Sequence, residues 1–172
     1  MRVAIFGIGN VLAHDDAVGP SVARLLDAHW VFPPEVVVED LGTPALELPT
    51  HLAGYDRVIL VDAVKADAPA GTIRIYRRDE ILRHPPGLRL SPHDPALKET
   101  LMLLDLTGDA PADLLLVGVV AKLTEMGVGL SDEVRASLRP AAEAVVAQLA
   151  EIGFTATRRE TPRAPDLWWQ AA

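Results

Sequence analysis

Four short apolar runs, each about as long as a buried strand, most constrain how this chain can fold. The segments between them carry apolar residues at helical spacing. Strands that alternate with helices form a mainly parallel sheet with helices on both faces. We therefore predict an α/β fold with three layers and a twisted, mainly parallel sheet. The four runs are Val3–Phe6, Val36–Glu39, Val58–Val61 and Leu114–Val120.

Further elements follow from local patterns. The segment Thr72–Tyr76 alternates between apolar and polar residues, which predicts an edge strand that could be antiparallel. Ser131 precedes two acidic residues and is suited to cap a long helix that reaches Ile152. Pro140 should kink or restart that helix, and Gly153 should end it. The other predicted helices are Ala17–His29, Ala45–Leu52 and Ala96–Leu106.

The chain has 172 residues, of which 49% are hydrophobic, and this suits one domain with a sizeable core. We assign residues 1–154 to a single α/β domain. The remaining residues, 155–172, contain three arginines and two prolines without any strand or helix period, so we predict a loosely structured tail. Trp168 and Trp169 are unusual in such a tail. We expect them to pack on the domain surface, and a partner-binding anchor is the alternative.

Charge and composition exclude several classes of protein. The net charge of −8 argues against general affinity for nucleic acid or for an anionic membrane. The absence of cysteine removes thiol catalysis, disulfides and thiolate metal sites. No run approaches the roughly 18 apolar residues that span a bilayer, and the N-terminal run is too short for a signal peptide. We expect a cytoplasmic monomer.

The first predicted strand leads into a glycine turn, Gly7-Ile8-Gly9-Asn10, which resembles part of a phosphate-binding loop. A dinucleotide site needs a third glycine, and Leu12 stands there instead. The adjacent acids Asp15 and Asp16 would also repel a pyrophosphate. Nucleotide binding is therefore disfavoured. We expect the glycines to make only a tight turn, one acid to cap the next helix and the other to face outward.

Three ligand-type residues are predicted to meet at the carboxyl edge of the sheet, where parallel α/β folds bind ligands. Asp16 follows the first strand, Asp62 ends the third, and His93 lies in a loop. Two carboxylates and an imidazole suit a divalent ion such as nickel or zinc. Each residue taken singly is more typical of a structural role, and His14 is a competing imidazole that we expect to be exposed. Together they predict a metal site.

Sequence motifs of several other kinds of catalytic and nucleotide-binding site are missing. The chain has four serines and no G-x-S-x-G elbow, and it contains neither H-E-x-x-H nor a P-loop. The loop Asp40–Thr43 follows the second strand and could line a binding cleft, although a plain turn is the simpler interpretation.

Several motifs, taken in order, resemble those of the hydrogenase maturation endopeptidases. They are GIGNVLAHDDAVG, DLGTPALEL, VILVDAV, APAGTIRIY, SPH, LLLVGVV and GLSDEV. The resemblance covers roughly Met1 to Ile152. It implies a twisted sheet between helices and an endopeptidase that removes a C-terminal peptide from the precursor of a [NiFe]-hydrogenase large subunit after nickel insertion.

The resemblance also implies roles for the three ligand-type residues. The family's nickel-contacting acids correspond to Asp16 and Asp62, and its histidine corresponds to His93. Some members carry Glu where this chain has Asp16. The nickel would be supplied by the precursor, and zinc or cadmium could occupy the site in vitro. The ion could polarise the scissile carbonyl or activate water, or a carboxylate could act as general base. A non-catalytic nickel-binding maturation chaperone is the alternative function.

Overall fold

The structure is a computed structural model that describes residues 1–83 and 97–170. The strands β1 to β7 are Val3–Ile8, Trp30–Val31, Val36–Gly42, Arg57–Val64, Ile73–Arg77, Asp113–Val120 and Thr157–Arg158. The helices α1 to α5 are Val18–His29, Leu48–Leu52, Arg78–Arg83, Leu97–Thr107 and Asp132–Glu151. Short 3-10 turns lie at His14–Ala17, Ala45–Glu47 and Trp168–Gln170.

Five of the strands form one sheet in the order β3-β1-β4-β6-β5. The pairs β3–β1, β1–β4 and β4–β6 are parallel, and β5 runs antiparallel to β6 at one edge. The predicted α/β class, with its mainly parallel sheet and one antiparallel edge strand, is therefore confirmed. The first strand lies between the second and third predicted strands, which places its carboxyl end near the middle of the sheet.

Side chains of successive strand residues point to opposite faces of this sheet, and each face carries its own core. Ile5, Ile59 and Val117 pack against α1 and α5 on one face. Phe6 and Leu60 point to the other face. There they pack in a second core with leucine and isoleucine side chains from α2, α3 and α4. The near-continuous apolar character of the strands is explained by this burial on both faces.

The first strand extends two residues beyond its predicted end and includes Gly7 and Ile8. A Cβ on Gly7 would lie 2.2 Å from the carbonyl oxygen of Gly19, and a Cβ on Gly19 would lie 2.2 Å from that of Ile8. These two glycines therefore let α1 pack directly against the end of β1. The expectation that the glycines serve only a tight turn is wrong for Gly7, which has a packing role.

The long C-terminal helix α5 begins at Asp132, as predicted, and is continuous through Pro140. Ser131 occupies the N-cap position, but its side chain makes no capping hydrogen bond. Gly153 follows the helix with a positive φ of 92°, which suits a glycine stop. No helix within the two described ranges combines the length and apolar character needed to cross a membrane.

The segment that follows the domain, residues 155–170, has little regular structure but makes several contacts with the domain. Strand β7 pairs antiparallel with β2, and the Arg158 guanidinium lies 5.0 Å from the centre of the Trp30 ring. The backbone N–H groups of Arg159 and Arg163 donate to the carbonyl oxygens of His29 and Ala28. These contacts run along the end of α1.

Candidate active site

Asp16 lies at the carboxyl edge of the sheet, in the 3-10 turn between β1 and α1. Its side chain is fully buried, and its Oδ2 accepts a hydrogen bond of 2.5 Å from the backbone N–H of Asn10. Gly9 allows this approach, because a Cβ there would lie 1.9 Å from the carbonyl oxygen of Asp16. The glycine turn therefore wraps around a carboxylate of its own chain. The expectation that one of the paired acids faces outward is wrong.

Asp62 lies within β4, two residues before the strand ends, and not at the strand end as predicted. Pairing with β1 stops at Val61, whereas pairing with β6 continues to Val64. Asp62 is therefore the first residue of β4 beyond its pairing with β1. The side chain is fully buried, and its Oδ1 accepts a 2.7 Å hydrogen bond from the N–H of Ala63.

The two acids occupy neighbouring elements, because the 3-10 turn that carries Asp16 packs against β4. Asp62 shares its side of β4 with Leu60 and Val64, which belong to the core under α2, α3 and α4. His93, the third predicted ligand, lies outside the described residues, in the part of the chain between α3 and α4. Within residues 1–83 and 97–170, no three acidic or histidine side chains form a group that could hold a metal.

Asp15 has a structural role that the sequence did not reveal. Its Oδ2 accepts hydrogen bonds from the N–H groups of Lys122 and Leu123 and from the Ser131 hydroxyl, and its Oδ1 accepts one from the Ser131 N–H. Burial by itself raises the pKa of Asp15, but these hydrogen bonds outweigh it and hold the pKa below its usual value. The buried carboxylate therefore fastens the loop after β6 to the loop after β1.

His14 belongs to the same loop contact and is only partly exposed. Its Nδ1 lies 2.9 Å from the carbonyl oxygen of Gly129, and its backbone N–H donates a hydrogen bond to the carbonyl oxygen of Gly127. Gly127 is needed here, because a Cβ at that position would lie 2.1 Å from Nε2 of His14. The expectation that His14 is exposed is therefore wrong, and the imidazole contributes to the loop contact.

A cleft of about 310 Å³ opens beside the glycine turn. Its lining comes from the turn, from the end of β3, from α1 and from the C-terminal segment. The lining residues are Gly9, Asn10, Val11, Arg24, Asp40, Leu41, Gly42, Thr43 and Trp168. Asp40–Thr43 therefore borders a cleft, but Asp40, Leu41 and Gly42 belong to β3 and not to a loop as predicted. Binding of a peptide in this cleft stays a prediction. Trp168 stands out in the sequence, but its place beside this cleft could not be predicted, because the residue is distant in the chain and lies outside any periodic element.

Comparison with known proteins identifies the family of this chain. The model of a family described as hydrogenase maturation protease matches residues 20–148. The chain belongs to the hydrogenase maturation protease family. The protease is 38% identical over 165 residues to the hydrogenase 2 maturation protease of Escherichia coli, a match that covers 93% of this chain and 98% of that relative. The predicted family and the prediction of a peptidase, hence a hydrolase, are thereby confirmed.

Solved structures agree with this family. The hydrogenase-maturating endopeptidase HybD from Escherichia coli superimposes with a TM-score of 0.83 at 35% identity, covering 92% of this chain and 98% of that one. The [NiFe] hydrogenase maturation protease HybD from Thermococcus kodakarensis gives a TM-score of 0.68 at 30% identity, covering 87% and 99%. The protease therefore shares its α/β fold with these enzymes.

Proposed function

We propose that this protease removes the C-terminal extension of a [NiFe]-hydrogenase large-subunit precursor after nickel has been inserted. The names of its relatives support a hydrogenase protein as the substrate. The observation that carries the finer proposal is the pair of fully buried carboxylates, Asp16 and Asp62, on neighbouring elements at the carboxyl edge of the sheet.

In this proposal, Asp16 and Asp62 contact the nickel carried by the precursor, together with His93. Carboxylate and imidazole groups suit a borderline divalent ion. The buried carboxylates would favour a metal-loaded precursor over an empty one, because the empty precursor brings no cation to compensate their charge. Recognition of the ion would then restrict cleavage to precursors that have already received nickel. The nickel could polarise the scissile carbonyl or activate a water molecule, or one carboxylate could act as general base.

The test uses the single substitutions Asp16→Asn, Asp62→Asn and His93→Gln. We expect each variant to lose at least about 100-fold in processing of nickel-loaded precursor, because each removes a group that contacts the ion or the reacting atoms. Mass spectrometry of the large subunit reports the loss of its C-terminal peptide. The wild-type protease should leave the nickel-free precursor uncut.

The matched control is Asp109→Asn, which changes an exposed carboxylate in the connection between α4 and β6. This variant should process nickel-loaded precursor at the wild-type rate. The unfolding midpoint of every variant is measured first, so that a loss of fold is separated from a loss of chemistry. Full processing by both Asp62→Asn and His93→Gln would overturn the proposed role of the ion.

A further inference from the structure

Two clefts lie beside β3, the strand at one edge of the sheet, and residues of α1 and β3 contribute to both. This strand pairs with β1 on one side, and within the part of the chain that the structure describes no strand pairs with its other side. A second cleft, of about 320 Å³, is lined by Ala23, Arg24, Asp27, Val38, Glu39 and Asp40. It shares Arg24 and Asp40 with the cleft beside the glycine turn. The two clefts therefore adjoin at the Arg24–Asp40 ion pair, and we refer to them together as the β3 groove.

Trp168 from the C-terminal segment forms part of the wall of the β3 groove. Its side chain is 58% exposed, whereas the neighbouring Trp169 is 3% exposed and meets it edge to face, with ring centres 5.7 Å apart. Arg24 connects the segment to the strand, since its guanidinium lies 3.2 Å from Asp40 and 3.8 Å from Asp166. An exposed aromatic ring therefore lies beside the groove next to a buried neighbour, while the largely exposed Arg24–Asp166 pair contributes little.

The β3 groove leads to the candidate active site. Gly9 and Asn10 line it, and the N–H of Asn10 is hydrogen-bonded to Asp16. A ligand that fills the groove would therefore end next to the carboxylate that we propose to contact nickel. Arg24 is already paired with two acids, so the groove does not present an isolated cation. Asp27 and Glu39 add two further carboxylates to the lining, so the groove is net negative and disfavours an acidic segment.

We propose that the β3 groove binds the C-terminal extension of the precursor in an extended conformation, with Trp168 packed against one of its side chains. This inference rests on the proposed function. An extended peptide can add to an exposed sheet edge through main-chain hydrogen bonds, while side-chain pockets supply specificity. Trp168 is thus a specificity-determining residue supplied by the C-terminal segment.

The first experiment compares Trp168→Ala and Trp168→Phe in the processing of nickel-loaded precursor. Loss of an aromatic contact should raise the KM for Trp168→Ala about tenfold and leave kcat within about twofold, whereas Phe should restore most of the affinity. The control is Leu106→Ala, which removes another exposed apolar side chain, 87% exposed in α4 and outside the groove. That variant should keep the wild-type KM.

The second experiment measures tryptophan fluorescence with a synthetic peptide that has the sequence of the precursor's extension and carries no nickel. The wild-type protein should show a saturable change in emission. The Trp168→Phe variant, which retains Trp30 and Trp169, should show little change.

The outcomes separate the two proposals. If the wild-type protease cleaves the precursor but Trp168→Ala has an unchanged KM, the groove assignment is wrong and the proposed function stands. An equal fluorescence change in wild type and Trp168→Phe would also refute the assignment. If the wild-type protease leaves the nickel-loaded precursor uncut, the proposed function fails and the groove assignment fails with it.

Discussion

Two adjacent aspartates at the start of α1 do different work. Asp15 points into the protein and accepts hydrogen bonds from three backbone N–H groups and one hydroxyl. Asp16 accepts a hydrogen bond from the glycine turn, and its 3-10 turn packs against β4, the strand that carries the buried Asp62. The two carboxylates have different partners because their side chains leave the 3-10 turn in different directions. The sequence alone presents the two residues as equivalent.

The role of Asp15 predicts a large loss of stability in Asp15→Asn. An asparagine would place an amide N–H₂ against at least one of the N–H donors and would remove the charge that strengthens the remaining bonds. We expect the free energy of unfolding to fall by about 3 kcal/mol, measured by urea denaturation. Asp109→Asn serves as the control and should change it by less than about 0.5 kcal/mol. Similar values for the two variants would contradict the fastening role of Asp15.

The C-terminal segment, residues 155–170, is attached to the domain by several contacts. It adds β7 to β2, donates two backbone hydrogen bonds to the end of α1, and buries Trp169. The Arg163 guanidinium also lies 3.3 Å from the Asp27 carboxylate, although both side chains are largely exposed and the pair contributes little. Burial of Trp169 is therefore the main attachment.

Substitution by alanine should affect the stability of the C-terminal segment very differently at Trp168 and at Trp169. Trp169→Ala removes a buried ring and should lower the free energy of unfolding by about 3 kcal/mol, or release the segment locally. In either case the amides of Arg159 and Arg163 should lose protection in hydrogen exchange. Trp168→Ala removes an exposed ring, so its unfolding free energy and amide protection should stay close to wild type. Equal effects of the two substitutions would contradict this assignment.

For the whole molecule, the arrangement of the sheet explains why the site lies where it does. The carboxyl end of β1 lies between β3 and β4, and β1 stops before β4 does. The chain turns there and places Asp16 beside β4, while the end of β3 borders the adjoining cleft. Ligand binding at the carboxyl ends of the strands is the general pattern of such sheets.

If the nickel carried by the precursor restricts cleavage to loaded precursor, as we propose, the isolated protease should bind nickel weakly. Two carboxylates and one imidazole without thiolate form a modest ligand set for nickel, and the precursor is expected to supply the remaining ligands. Isothermal titration of the full chain with nickel chloride should therefore show much weaker binding than titration in the presence of precursor. Tight binding by the protease alone would favour the alternative of a nickel chaperone. A zinc titration serves as a comparison for ion selectivity.

Much of the fold could be predicted from local patterns. Short apolar runs predicted the four parallel strands, and alternation in Thr72–Tyr76 predicted the antiparallel edge strand, because strands buried on two faces differ in composition from those at an edge. The motifs also indicated the family correctly. The assignment of Asp16, Asp62 and His93 to nickel stays a prediction.

Three features depended on contacts between residues far apart in the chain, and local patterns carry no information about such contacts. Gly7 and Gly19 are required because a helix lies directly on a strand, and Asp15 is required because the loop after β6 needs its carboxylate. Trp168 lines the groove next to Trp169, whose burial no local pattern of the sequence indicates. Composition and periodicity thus determine which elements form, whereas packing between them decides which side chains surround the site.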